Sequence, residues 1–157
     1  MKRFFMLMVA AAIMSLSPAF AENAQNTNMQ ILLEKVKADK KLLIAGNLDL
    51  TDQESKAFWP LYEGYQKDLE QLNRHLSGLI NEYAEAYNKG SVSEDVAKDL
   101  INESLKTEGA EVKMRREYAE KLAKVLPATK VARYLQMENK IRAAIKFDLA
   151  ANIPLMY

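Results

Sequence analysis

Residues 50–65 read LTDQESKAFWPLYEGY, and this stretch decides the fold. In Leu50-Thr51-Asp52-Gln53-Glu54 a hydroxyl residue stands three positions ahead of a carboxylate, the spacing of a capping box. The Thr51 hydroxyl is placed to accept from the amide of Glu54, and the Glu54 carboxylate to accept from the amide of Thr51. Two amides that a helix start leaves unpaired are then satisfied together. Asp52 adds negative charge at the positive helix end, and Leu50 can staple onto an apolar residue of the first turn. From Phe58 onward apolar residues recur in steps of mostly three and four, through Leu61, Tyr62, Tyr65, Leu69, Leu72, Leu76, Leu79, Tyr83 and Tyr87. The seam predicts one long helix to about Asn88, wanting a long partner. Between Leu61 and Asn88 it would extend about 42 Å at a rise of 1.5 Å per residue. Pro60 lacks an amide proton and crowds the carbonyl of Lys56, which predicts a kink there.

Upstream, a first helix is predicted from about Asn28 to Ala45. Ile31, Leu32, Val36 and Leu43 fall on or near one face, lysines 35, 37, 40 and 41 lie on the rest, and Gly46-Asn47 is the expected stop. Downstream, Gly90-Ser91-Val92-Ser93 reads as a turn, with Ser93 capping a third helix whose first turn carries Glu94 and Asp95. Val96, Leu100, Ile101, Leu105, Val112, Tyr118, Leu122 and Val125 are its expected apolar positions. Gly109, in its weakly apolar middle, points to a bend or a close helix approach. Leu126-Pro127 breaks this helix, with Pro127 suited to the first position of a fourth running from about Ala128 to Ala150. Val131, Tyr134, Leu135, Met137, Ile141, Ile145 and Leu149 form its expected buried stripe. Lys130, Arg133, Lys140, Arg142 and Lys146 form its charged side. The tail from Asn152 to Tyr157 is apolar, interrupted by Pro154, and is expected to fold back onto the bundle or onto a second subunit. With 5 Gly, 4 Pro and no run of alternating β-branched residues, the chain reads as all-α with four helices.

The first residues carry a different signal. Lys2 and Arg3, an apolar stretch from Phe4 to about Leu16, and Ala19-Phe20-Ala21 have the order of a secretory signal peptide, with cleavage expected after Ala21. That stretch falls short of the roughly 20 residues of a comfortable transmembrane helix. The expected organisation is a signal peptide over 1–21, a disordered start over 22–27 and one helical domain over 28–157. The signal holds two basic residues and no acidic one. The 22 basic and 21 acidic residues of the chain therefore leave 20 and 21, a net charge of −1, which argues against nucleic acid as a partner. The absence of cysteine excludes disulfides, thiol chemistry and thiolate metal sites.

Catalytic and metal signatures are missing too. A di-iron bundle needs two Glu-x-x-His motifs, whereas the chain has one histidine, His75, with no glutamate three residues before it. No phosphate-cradling glycine loop and no serine-presenting elbow occur. The expectation is therefore a protein that is not an enzyme and has no cofactor or metal. Lys113, Arg115 and Arg116, interleaved with Met114, read either as a solvated face or as a basic patch for acidic partners or unfolded chains. Trp59 fits the seam of Phe58 and Tyr62 less well and is a candidate exposed aromatic or dimer contact.

Leu50-Thr51-x-x-Glu54 at one helix start and Leu126-Pro127-Ala128-Thr129-Lys130 at another resemble the twin LTxxQ motifs of the Spy/CpxP periplasmic proteins. The likeness extends from about Leu33 to Leu149. Glu54 stands for the first glutamine and keeps its capping role. Pro127 stands for threonine and Lys130 for the second glutamine, so the second back-reaching cap is lost and the chain sits on an outlying branch. The zinc binding of one branch does not carry over, because its His and Cys are absent. The resemblance implies a cradle of bent helix hairpins, built on two long kinked helices, that pairs into an antiparallel homodimer. It implies a periplasmic, ATP-independent chaperone of unfolded or misfolded envelope proteins, active in envelope stress. The alternative is an accessory regulator docking on the sensor domain of a membrane histidine kinase. A small-ligand bundle lacks any convergent polar constellation in the sequence.

Overall fold

The computed structural model describes residues 37–156. The signal-peptide reading, the segment 22–27 and the first helix before residue 37 lie outside the described residues. The chain divides into two compact units, Met1–Leu43 and Ile44–Tyr157. Of the first, residues 37–43 are described and are helical; the helix, here α1, continues through 44–48 into the second. Three helices follow, α2 (Asp52–Asn88), α3 (Glu94–Leu122) and α4 (Ala128–Asn152), and no strand occurs among the described residues. The fold is all-α.

The first helix overruns its expected stop. Ile44 and Leu48, one turn apart, are buried in the core of the second unit, whereas Leu43, placed on the apolar face by sequence, is exposed. Gly46 has open space around it, and the helix ends instead just before Asp49, whose φ is 50°. The start of α2 is as expected: the Glu54 amide donates to the Thr51 hydroxyl at 3.2 Å and the Thr51 amide to the Glu54 carboxylate at 2.8 Å. α2 is continuous through Pro60 and ends before Gly90, whose φ of 93° only glycine adopts without strain. Ser93 caps α3, accepting from the Val96 amide at 3.3 Å. Pro127 is the cap residue of α4 rather than its first helical position, and it offers no side-chain bond.

Within the second unit α2 and α3 run antiparallel, with Tyr65 against Tyr118 near one end and His75 against Glu103 further along. α4 runs parallel to α2, pairing Phe58 with Tyr134 and Gln66 with Glu138. It is antiparallel to α3 through Arg142 with Glu111 and Lys146 with Glu108. The tail returns to α2, where the Tyr83 hydroxyl donates to the carbonyl of Pro154 at 3.0 Å. The core gathers where α2 begins, α3 ends and α4 begins: Ile44, Leu48, Phe58, Tyr62, Tyr65, Met114, Tyr118, Leu122, Leu126, Val131 and Tyr134. Four of its side chains are tyrosines, whose rings meet edge to face at centroid distances of 5.3–6.2 Å.

Glycine marks one close approach, though at a different position from the expected one. Gly109 is exposed with nothing near it. At Gly64 a Cβ would lie 2.9 Å from the hydroxyl of Tyr118. That hydroxyl donates to Asp68 at 2.7 Å, so α2 and α3 are drawn together by a tyrosine lying across a glycine.

Candidate functional site

Two features outside the aromatic core bear on function: the junction of the helix starts and an apolar stripe on α3. At the junction the starts of α2 and α4 meet. Lys130 in the first turn of α4 donates to the Glu54 carboxylate at 2.7 Å and to the Asp49 carbonyl at 2.6 Å. Its ammonium, with the Thr51 amide and hydroxyl, holds the Glu54 carboxyl below the ordinary carboxylate value. Sequence alone placed Lys130 on the solvated side of α4; its charge is instead three-quarters buried against another helix start. Leu126 is buried, Leu50 packs on the core edge, and Pro127 is exposed. An open cleft lined by Thr51, Gln53, Glu54, Ala57, Lys124 and Val125 flanks the junction.

Below it lies a polar layer. Glu138 is buried and accepts from the Gln66 side-chain amide at 2.9 Å, although the apolar spacing of α4 gave no reason to expect a carboxylate inside. Burial, followed by the negative charge of Glu138, pushes Tyr62 and Tyr65 up to about 12 and Tyr134 further into alkali. Burial and the bond to Asp68 push Tyr118 up to about 12.

The surface stripe arises from the two apolar faces of α3. Leu100, Thr107, Met114, Tyr118 and Leu122, spaced by seven and four, face inward. Ile101, Leu105 and Val112 fall about 100° or more around the helix, since each residue turns it by 100°. They are 56, 62 and 58% exposed. The sequence reading placed these three in the core and Met114 in a basic patch, and the structure reverses both assignments. α4 shows the same opening toward its end: Ile145, an expected core residue, and Phe147 are exposed, as are Leu155 and Met156 of the tail.

The predicted partner residues do not form one surface. Lys113 and Arg116, three residues apart on α3, are exposed, whereas Arg115 is half-buried, its charge felt at Tyr65. Trp59 is half-buried, packed edge-on against Phe58 and Tyr62, and its indole donates to Ser55 at 2.9 Å. His75 is exposed and meets Glu103 at 3.2 Å. Among the described residues no group of three or more His, Cys, Asp or Glu is placed to hold a metal ion, and no helix is long and apolar enough to cross a membrane. No protein-family description, curated protein or solved structure matches the chain.

Proposed function

We propose that this is an exported, periplasmic chaperone-like protein of the Spy/CpxP type, which binds unfolded envelope polypeptides on the face of α3 marked by Ile101, Leu105 and Val112. The observation that carries the reading is the stripe itself: three large aliphatic side chains more than half exposed on one helix face, beside a core that is well filled. Contiguous exposed apolar surface is the feature of a soluble chain that most often marks a partner site. The stripe is interspersed with Glu108 and bordered by Lys98 and Arg116, so its rim is charged with both signs and suits many apolar segments rather than one sequence. The signal-like start and the twin helix starts support the same reading. Pairing of two copies belongs to it, and a solution mass of one chain at tens of micromolar would contradict that part.

The test is suppression of aggregation of a reduced, unfolding client at stoichiometric ratios. The parent protein is expected to suppress it, and Ile101→Ser/Leu105→Ser/Val112→Ser to lose suppression while keeping its helical circular dichroism. Equal suppression by both would overturn the assignment of the stripe. Recovery of a single stable partner from envelope extracts would move the reading to an accessory protein docking on a sensor kinase.

A further inference from the structure

The junction of the helix starts carries an inference of its own. α4 begins badly by the ordinary rules. Its cap residue, Pro127, offers no side-chain acceptor, and its first turn holds no acidic residue. It holds a cation instead, Lys130, at the end of the helix where the aligned peptide dipoles already place positive charge. Nothing local offsets that arrangement. The compensation comes from the next helix start: Glu54, anionic and already closing the α2 capping box, lies 2.7 Å from the Lys130 ammonium. The carbonyl of Asp49, presented by a residue in the left-handed region that non-glycine residues avoid, lies 2.6 Å from it on the α1–α2 connection.

What this side chain spans is as telling as its partners. Next to Lys130 is Val131, buried in the core cluster, and one turn beyond it is Tyr134, buried against Phe58 and Tyr62 of α2. The first two turns of α4 therefore cover the aromatic core, and their N-terminal end is fastened by a charge pair to another element. We propose that Glu54–Lys130 is an electrostatic latch: while it is closed the start of α4 holds Tyr134 over Phe58 and Tyr62, and when it opens that turn lifts and adds the aromatic surface of all three to what the molecule exposes. The two chemical departures at the motif positions are then one feature. A carboxylate at the first and an ammonium at the second make a contact that ionic strength can weaken, where two amide side chains would make one that it cannot. The latch does not depend on the chaperone reading, because its opening is visible without any client.

The experiment is hydrogen exchange of the amides of Val131 to Leu135, followed at low and high salt in the full chain, together with binding of anilinonaphthalene sulfonate. In the parent protein exchange is expected to quicken with salt and dye binding to rise with it. Lys130→Met, which keeps the aliphatic stem, should quicken exchange at low salt by about fivefold, the size of one ion pair, and abolish the salt response. Glu54→Gln/Lys130→Gln retains hydrogen-bonding groups at both positions, so it remains folded and should also lose the salt response. Arg133→Met, an exposed cation one residue before Tyr134, should behave as the parent does. Unchanged exchange in Lys130→Met, or a salt response that persists in the double variant, would overturn the latch.

Discussion

Glu54 uses one carboxylate for two contacts, closing the cap of its own helix and receiving Lys130 from another. Both favour the ionised form, so its pKa is depressed in the folded state. The stability it supplies is therefore present above the ordinary carboxylate value of 4.5 and is lost as pH falls through the lower folded value. Carbon-detected titration should find Glu54 below that ordinary value in the parent and closer to it in Lys130→Met; identical titration in both would show that the cap alone sets it. Two of the helical glycines, Gly64 and Gly109, make a second pair of opposites. Gly109→Ala should stabilise by about 1 kcal/mol, the usual helix-propensity gain, because its methyl meets nothing. Gly64→Ala should gain nothing and destabilise, because its methyl displaces the Tyr118 hydroxyl from Asp68. Chemical denaturation of the two variants decides. Sequence could show that both glycines sit in helices, but only the tertiary approach of α3 distinguishes them.

The helices themselves were legible because their ends are written in local chemistry. Thr51 with Glu54, Ser93 with its acidic first turn, Gly90 and Pro127 each mark a boundary that the structure keeps to within a residue or so. The first helix is the exception. Gly46-Asn47 is a good local stop, and burial of Leu48 overrides it. Which face of α3 points inward was not legible, since Ile101, Leu105 and Val112 make as good a helical stripe as Leu100, Met114 and Tyr118. The choice is made by what α2 presents: Tyr65 meets Tyr118 edge to face, and Asp68 accepts from its hydroxyl. This register has a direct stability consequence. Met114→Ala should cost about 2–5 kcal/mol as a core truncation, whereas Val112→Ala should change stability by no more than about 0.5 kcal/mol. The reverse order in denaturant melts would place the other face of α3 inside. The partnership of Lys130 with Glu54 was not legible, because the pattern of α4 puts Lys130 on its charged side and residues 76 apart in sequence meet only once α4 has packed parallel to α2.

At the scale of the molecule, the second unit carries a tyrosine-rich core at one end and exposed aliphatic surface along α3 and the end of α4. The core sets a behaviour in alkali. Burial pushes Tyr62, Tyr65 and Tyr118 up from the ordinary tyrosine value of 10.0 to about 12. Their raised values mean stability that is full below pH 10 and lost as pH rises through the folded values. Tyrosinate absorbance and helical circular dichroism should therefore change together above pH 10; loss of helix well before tyrosine ionisation would contradict this. The exposed stripe sets the functional claim, and its most direct test is a nuclear magnetic resonance titration with a permanently unfolded client. The account predicts that methyl resonances of Ile101, Leu105 and Val112 shift and broaden with saturation while those of the buried Leu122 and Val131 stay in place. Shifts absent from the three stripe residues would contradict it.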